Sequence, residues 1–276
     1  VPATYDPVTG MLTPTTPLAD GAHSITTTLT DAAGNESPQS AALPLTVDTA
    51  APAAPTGVTV TDDVAPVTGA IAANGASNDN KPTFAGAAGS AEAGSTITVM
   101  DGATVLGTAV VAADGSWSVT PTTALADGAH SITTRATDAA GNVSPVSPAL
   151  ALTVDTAAPA APTGVTVTDD VAPVTGAIAA NGASNDNKPT FAGAAGSAEA
   201  GSTITVMDGA TVLGTAVVAA DGSWSVTPTT ALADGAHSIT TRATDAAGNV
   251  SPVSPALALT VDTAAPAAPA APTSTA

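Results

Sequence analysis

Carboxylates supply almost all the reactive side chains of this sequence. The 276-residue chain carries 23 Asp and Glu against 4 Lys and Arg, with 3 His and no Cys. Calcium takes about six to eight oxygen ligands, mainly from carboxylates, backbone carbonyls and water. Because the available ligands are oxygens, with no thiolate and little imidazole, the set indicates calcium rather than zinc or copper. Residues 49–155 hold nine of these acids, which fall at predicted turns or strand ends: Asp62, Asp63, Asp79, Glu92, Asp101, Asp114, Asp127, Asp138 and Asp155.

The carboxylates recur because the chain is built from repeats. The sequence TAAPAAPTGVTVTDD returns after 107 residues, and residues 49–155 are identical to residues 156–262. Residues 1–48 match the C-terminal half of the same unit, and residues 263–276 form a Pro/Ala-rich linker. Such a period exceeds the roughly 20–50 residues of a solenoid unit and fits one β-sandwich of about 100 residues. We therefore predict a partial module, two identical full modules and a linker.

Strand signals dominate each module. β-branched residues alternate with other types, and turns containing Gly, Asp or Asn recur about every 8–12 residues. The pattern predicts an all-β fold of tandem seven-stranded Ig-like β-sandwich modules joined by short Pro/Ala linkers. Phe84 and Trp117 are expected in the core, and residues 64–77 are expected to form a long, ordered A–B loop. The predicted strands A to G of the first full module lie at residues 57–61, 81–90, 95–100, 104–112, 116–120, 129–137 and 149–154. Because it lacks strands A to C, the partial module is expected to expose its core.

Alternating strand directions determine which acids can meet, because successive turns fall at opposite ends of a module. We predict one type of calcium site at the junctions between modules and a second type around the A–B loop. The junction sites comprise Asp48, Glu92 and Asp138, and then Asp155, Glu199 and Asp245. The loop sites comprise Asp62, Asp63 and Asp79, with the copies Asp169, Asp170 and Asp186. Three further acids are each followed by Gly, namely Asp101, Asp114 and Asp127. Asp is common in turns because its side chain hydrogen-bonds to the nearby backbone, so we expect these three acids to stabilise turns rather than bind a metal.

Charge and composition exclude several classes of function. A net charge of −19 with four cationic side chains leaves no basic surface for nucleic acid or anionic membranes. Aromatic residues make up 2% of the chain, too few for a typical enzyme pocket. Asp127, His130 and Ser131 could be written as a catalytic set, but no nucleophile elbow or oxyanion loop accompanies them. No run of about 18 apolar residues could insert into a membrane. We predict that the chain is not an enzyme, binds no nucleic acid and does not enter a membrane.

Several segments of the chain together are similar to a known family. They are VDTAAPAAP, TDDVAPVTGAI, SNDNKPTFAG, SAEAGSTITVMDG, ADGSWSVTPTTALADGAHSIT and TDAAGNVSP. In this order, over residues 1–262, they resemble the bacterial Ig-like repeats of giant type I-secreted adhesins of the biofilm-associated-protein type. The resemblance implies a secreted fibre on the bacterial cell surface whose repeats form a calcium-stiffened stalk for adhesion and biofilm formation. It also implies calcium ions, neighbouring modules and other adhesin copies as partners.

The acidic motifs of that family sit in linkers and loops, which supports Asp155 of VDT, Asp138 of TDAAGN and the Asp62-Asp63 pair of TDD as ligands. One departure concerns the B–C turn. Many relatives have Pro after its glutamate, where this chain has Ala93.

Two other functions stay open from the sequence. The repeats could themselves bind a glycan or a host receptor, which would need an exposed aromatic or polar platform. The only Trp or Tyr of the first full module is Trp117, and it is predicted to be buried. The repeats could also be an accessory sandwich of a polysaccharide-degrading enzyme, which predicts a catalytic domain elsewhere in a longer chain.

Overall fold

A computed structural model describes residues 2–270 of the chain. In that range every regular element is a β-strand, and there is no helix that could span a membrane. The chain divides into two compact units. The first unit comprises the chain up to Val60 together with Thr83–Thr123 and Ser131–Leu150. The second comprises Thr61–Pro82, Ala124–His130 and the chain from Ala151 onward, so it joins one end of the first full repeat to the whole second repeat.

The partial repeat forms two separate hairpins. Its strands are β1 (Ala3–Tyr5), β2 (Leu12–Pro14), β3 (Gly21–Ile25) and β4 (Leu43–Val47). β1 pairs with β2 and β3 pairs with β4, both antiparallel. Leu43 and Leu45 are 63% and 44% exposed, and residues 2–48 contain no counterpart of strands A to C. This agrees with the exposed core expected for residues 1–48.

The first full repeat folds into two sheets that together contain all seven predicted strands. Its strands are β5 (Thr59–Asp62), β6 (Gly69–Ala70), β7 (Ala76–Ser77), β8 (Thr83–Gly86), β9 (Thr96–Asp101), β10 (Thr104–Val110), β11 (Trp117–Val119), β12 (Gly128–Thr137) and β13 (Leu150–Val154). Predicted strands A to G correspond to β5, β8, β9, β10, β11, β12 and β13. One sheet has the order β11-β8-β5-β6 and the other the order β10-β9-β12-β13-β7. The predicted Ig-like fold class is confirmed.

The A–B loop is more regular than the sequence indicates. Its strand β6 pairs antiparallel with β5, and its strand β7 pairs parallel with β13. The loop thus adds a short edge strand to each sheet at the same end of the repeat. Neither strand could be found from the sequence, because two residues are too few to establish an alternating pattern.

The second full repeat has the same arrangement. Its strands are β14 (Thr166–Asp169), β15 (Gly176–Ile178), β16 (Gly182–Ser184), β17 (Thr190–Gly193), β18 (Thr203–Asp208), β19 (Thr211–Val217), β20 (Trp224–Val226), β21 (Gly235–Thr244) and β22 (Leu257–Val261). They form sheets of order β15-β14-β17-β20 and β16-β22-β21-β18-β19. Of the predicted linker 263–276, residues 263–270 contain no strand, and residues 271–276 lie outside the described part of the chain.

The core of each repeat contains one Phe and one Trp among aliphatic side chains. Phe84 is 0% exposed and Trp117 is 5% exposed, which confirms both expectations. The Trp117 indole packs against the backbone of Gly86, where an added Cβ would collide with the ring. Most other buried side chains are Val, Ile, Leu and Ala, so each repeat buries a modest apolar area.

A core of this composition makes each buried Val important for stability. Val99 and Val206 are 0% exposed, whereas Val110 and Val217 are 70% exposed. Replacing Val by Ala at both buried positions should lower the unfolding free energy by about 2 kcal/mol per repeat, because buried methyl groups are lost and a cavity remains. The same change at both exposed positions should alter it by less than about 0.5 kcal/mol. Urea unfolding followed by tryptophan fluorescence measures both, and equal losses would contradict this assignment of the core.

Candidate metal centres

One serine hydroxyl joins two buried carboxylates at the end of the A–B loop. Asp62 and Asp79 are 5% and 4% exposed. The Ser77 hydroxyl donates to Asp62 Oδ2 and accepts the Asp79 backbone N–H at 3.1 Å. The other Asp62 oxygen accepts the N–H of Val64 at 2.7 Å, and Asp79 Oδ1 accepts the N–H of Lys81 at 2.8 Å. These bonds fix both ends of the loop and bring two of the three predicted loop-site acids together.

The same cluster in the second repeat leaves a carboxylate oxygen without a partner. Ser184 donates to Asp169 Oδ2 at 2.6 Å and accepts the Asp186 N–H at 3.0 Å. Asp186 Oδ2 is buried and has no hydrogen-bond partner among the described residues. Lys188, two residues further on, donates its ammonium to the carbonyl of Thr229 instead. Burying a carboxylate without a compensating group is costly, so this oxygen fits a hard cation such as calcium.

The third predicted acid of each loop site lies beside the buried pair. Asp63 and Asp170 are exposed, and the backbone N–H of Asp63 reaches Asp79 Oδ2 at 3.4 Å. Their carboxylates accept no hydrogen bond within residues 2–270. The loop site therefore consists of two fixed, buried carboxylates and one exposed carboxylate next to them in sequence.

At the junction before the second repeat, an asparagine joins the two predicted aspartates. The Asn249 amide donates to the backbone carbonyl of Asp155 and to Asp245 Oδ2, both at 2.8 Å. Asp245 Oδ1 also accepts the N–H groups of Ala247 and Asn249, each at 2.9 Å. All these residues belong to the second unit. The Asn249 amide thus joins the carboxylate of Asp245 to the backbone of Asp155, whereas the Asp155 carboxylate accepts the N–H of Ala157 at 3.0 Å.

The junction before the first full repeat has the same arrangement within the first unit. Asn142 donates to the carbonyl of Asp48 at 3.0 Å and to Asp138 Oδ2 at 2.8 Å. The side-chain hydrogen bond from Asn142, helped by backbone N–H groups of the turn, lowers the pKa of Asp138 below its usual range. The corresponding bond from Asn35 lowers the pKa of Asp31 in the partial repeat. These aspartates therefore stay ionised to a lower pH than an ordinary aspartate does.

The predicted glutamates do not take part in these contacts. Glu92 and Glu199 are exposed, and neither carboxylate hydrogen-bonds to a junction aspartate in the described part of the chain. Within residues 2–270, no group of three or more His, Asp or Glu side chains is arranged to hold a metal. The asparagines were missed by sequence reasoning, although their position four residues after Asp in TDAAGN is a signal for a side-chain hydrogen bond within the turn.

Comparison with known families identifies the kind of domain that carries these contacts. The family of bacterial Ig-like domains matches residues 6–49, 55–156 and 162–263. The chain belongs to this family. The bacterial Ig-like domain is a structural domain rather than an enzyme, and the prediction that the chain is not an enzyme is confirmed. No curated protein matches the chain.

Solved structures similar to this bacterial Ig-like chain include modules from several proteins. The fibronectin(III)-like modules of Clostridium thermocellum CbhA are 19% identical with a TM-score of 0.43, covering 73% of this chain and 93% of that one. A Ca²⁺-stabilised adhesin with which an Antarctic bacterium binds ice is 25% identical with a TM-score of 0.36, covering 87% and 57%. A tetra-tandem repeat from the extending region of a large adhesion protein is 24% identical with a TM-score of 0.28, covering 89% and 58%. The chain therefore spans little more than half the length of either adhesin structure.

The remaining acids of the bacterial Ig-like repeats stabilise turns and strand ends. Asp114 accepts the Ser116 N–H at 3.0 Å and the Ser116 hydroxyl at 2.7 Å, and these bonds lower its pKa. Asp127 accepts both the N–H and the hydroxyl of Thr156 at 3.0 Å. Asp127 thus ties its turn to the linker that follows strand β13, which is more than the local turn role expected for it.

A histidine–aspartate pair gives the second bacterial Ig-like repeat a titratable contact. His237 Nδ1 lies 2.7 Å from Asp208 Oδ2, and His237 Nε2 lies 2.8 Å from the Ala233 carbonyl. Burial alone would lower the pKa of His237. The hydrogen bonds to Asp208 and Ala233 and the charge of Asp208 outweigh burial, so its pKa is raised above the ordinary value of 6.5. The pair therefore contributes stability that is complete below pH 6.5 and is lost as the pH rises through the raised pKa.

This pair predicts a specific proton titration. An NMR titration of the His237 ring, assigned by the loss of its signal in His237→Gln, should give a pKa above 6.5. In Asp208→Asn the burial remains while the charge is gone, so the pKa of His237 should fall. A value that does not change between the two proteins would contradict the role given to Asp208.

Proposed function

We propose that this chain is a stalk segment of a secreted adhesin at the bacterial cell surface, stabilised by calcium, which supports cell adhesion and biofilm formation. The family match, the repetition of an identical structural domain and the short Pro/Ala linkers support a spacer. A spacer needs many equal units, whereas an active site is normally needed once. The neighbouring repeats of the same chain are its first partners, and contacts between adhesin copies are a further expectation.

The buried oxygen of Asp186 carries the calcium part of the proposal. Two carboxylates lie on either side of Ser184, and no cationic side chain compensates them within residues 2–270. Like charges in a poorly solvated site repel each other, and a divalent ion with oxygen ligands removes that cost. We assign Asp62, Asp63 and Asp79 to one loop site, and Asp169, Asp170 and Asp186 to its copy.

Calcium at the junctions is the second part of the proposal. The carbonyl of Asp155 and the carboxylate of Asp245 both lie against the Asn249 amide, so both oxygens face one point. A calcium ion at this junction would require the amide to turn its oxygen inward or to move aside. Glu199 would supply a further carboxylate oxygen from its exposed position. Asp48, Glu92 and Asp138 would form the equivalent site at the preceding junction.

Direct binding of a glycan or receptor by the repeats has less support. That function needs an exposed aromatic or polar platform. Trp117 and Trp224 are each 5% exposed and belong to the cores. Neither tryptophan is available as such a platform.

Calcium should raise the melting temperature of the chain relative to EDTA. A ligand at 100 times its dissociation constant stabilises the folded state by about 2.7 kcal/mol, which for a domain of this size corresponds to roughly 10 °C. The double variant Asp79→Asn/Asp186→Asn should lose this increase, because each loop site loses a charged ligand. Differential scanning calorimetry in calcium and in EDTA measures the difference.

The double variant Asp114→Asn/Asp221→Asn is the matched control. It removes the same number of charges from exposed turns and should keep the full calcium-dependent increase. Equal increases in both double variants would show that the loop acids are not ligands. No increase in the unsubstituted chain would refute calcium stabilisation altogether.

Small-angle scattering tests the junction sites separately. If calcium stiffens the junctions, the chain should have a larger average maximum dimension in calcium than in EDTA. The double variant Asp138→Asn/Asp245→Asn, which removes the carboxylate bound to the asparagine amide at each junction, should have the smaller dimension in both solutions while keeping its calcium-dependent melting shift. A scattering profile that is unchanged by EDTA would mean that the Pro/Ala linkers alone set the geometry.

A further inference from the structure

Each A–B loop contains an asparagine that is followed directly by glycine. The pairs are Asn74-Gly75 in the first full repeat and Asn181-Gly182 in the second, and no other asparagine of the chain precedes a glycine. In such a pair the backbone nitrogen of Gly can attack Cγ of the Asn side chain, because glycine has no Cβ to hinder the approach. The pair is therefore a candidate site of covalent self-modification, and neither the calcium sites nor the stalk function uses it.

The turn within the A–B loop requires this pair of residues for its shape. Asn74 and Asn181 have φ angles of 59° and 61°, and they are the only non-glycine residues with positive φ in the described part of the chain. Asn adopts this left-handed conformation more readily than most residues. A Cβ on Gly75 would lie 2.8 Å from the Ala72 carbonyl oxygen, so the next position needs glycine. The fold thus retains a reactive pair because no other pair fits the turn as well.

In the closed loop the attacking nitrogen is already occupied. The Gly75 N–H donates to the Ala72 carbonyl at 2.9 Å, and the Gly182 N–H donates to the Ala179 carbonyl at 2.8 Å. Attack on Cγ needs this nitrogen to lose its proton and to turn toward the side chain, so the hydrogen bond must break first. Both asparagine side chains are exposed, and water reaches them in the closed loop as well. The reaction is therefore limited by opening of the loop rather than by access of water.

The A–B loop can open without unfolding of the whole repeat. Of residues 64–77 only Ser77 is buried, so opening exposes almost no apolar surface. Hydrogen bonds hold the loop instead: the Ser77 hydroxyl donates to the carboxylate of Asp62, and the Ser77 carbonyl accepts the Asp155 N–H at 2.9 Å. Loss of the serine hydroxyl should therefore increase the open fraction of the loop while the core stays intact.

We propose that Asn74 and Asn181 are self-modification sites that react when the A–B loop opens. The Gly nitrogen forms a bond to Cγ of Asn, the bond from Cγ to the amide nitrogen breaks, and ammonia leaves with the proton of the Gly N–H. Water then opens the resulting succinimide ring, at Cγ to give aspartate or at the backbone carbonyl carbon to give isoaspartate. Neither step needs an oxidant, an enzyme or a metal ion.

Isoaspartate at these positions prevents the loop from closing again. Its backbone passes through the former side chain and contains one more carbon atom. In the closed loop the Asn74 N–H donates to the Ala151 carbonyl at 3.2 Å, and the Gly75 carbonyl accepts the Thr153 N–H at 3.0 Å. An extra backbone atom between these two bonds breaks their register along β13. The modification is thus a permanent record of loop opening, and it adds a carboxylate to an acidic loop.

Mass spectrometry of the full chain, incubated in EDTA, measures the reaction in both loops. Cleavage before aspartate releases residues 63–78 and 170–185. The substitution Val174→Ile, at a side chain that is 73% exposed, gives the second peptide its own mass. A new cut within either peptide marks aspartate at the reactive position, whereas an uncut peptide with water in place of ammonia marks isoaspartate. Fragmentation of the peptides locates the change.

Removing the serine bond in one repeat should accelerate the reaction in that repeat alone. In Ser184→Ala the hydrogen bond to Asp169 is lost, and Asn181 should react about tenfold faster than Asn74 in the same molecule, because hydrogen bonds to charged groups are strong. The matched control Val206→Ala lowers the stability of the same repeat through its core and leaves the loop bonds in place. In this control both asparagines should react at the same rate. Urea unfolding followed by tryptophan fluorescence shows whether each variant is folded.

Three results would overturn the proposal. Equal rates at Asn74 and Asn181 in Ser184→Ala would mean that the serine bond does not control the reaction. The same acceleration of Asn181 in Val206→Ala would mean that the reaction proceeds through unfolding of the whole repeat. An unchanged folded chain, over a time in which the urea-unfolded chain converts completely, would mean that the loop does not open. Asp169→Asn, which weakens the same hydrogen bond, replaces Ser184→Ala if that variant does not fold.

Discussion

The hydroxyl of Ser77 and its copy at Ser184 hold together the acid-rich end of each repeat. Ser77 bonds to the carboxylate of Asp62 at the end of β5 and to the backbone of Asp79 before β8. Its carbonyl also accepts the Asp155 N–H just after β13. One residue therefore ties both sheets and the A–B loop to the start of the next linker. The candidate loop sites are built on this network.

The composition of the core explains why polar contacts matter so much at the repeat ends. With one Phe and one Trp per core and mostly Val, Leu and Ile otherwise, each repeat gains a limited free energy from apolar burial. Folded domains are stable by a narrow margin, so a few fixed hydrogen bonds or one bound ion change that margin noticeably. In this chain the charged groups are concentrated where such contacts join one repeat to the next.

The junction illustrates how one short turn can serve two purposes. Within its own repeat, the Asn249 amide closes the turn by bonding to Asp245. The same amide group bonds to the carbonyl of Asp155, which belongs to the preceding repeat. Asn142 does the same for Asp138 and Asp48, so the arrangement recurs with the sequence period. The stability of the turn and the contact between successive repeats therefore depend on the same side chain.

Periodicity and alternation along the chain were enough to predict the repeats, the seven strands of each and the two core aromatics. They also located the acids at turns and predicted that Asp62 and Asp79 share one end. Three features became visible in the folded chain alone: strands β6 and β7 extend both sheets, Asn249 reaches Asp155, and Glu199 contributes no contact there. The reason is that Asn249 and Asp155 lie 94 residues apart, and no local pattern encodes a hydrogen bond between two loops from different repeats.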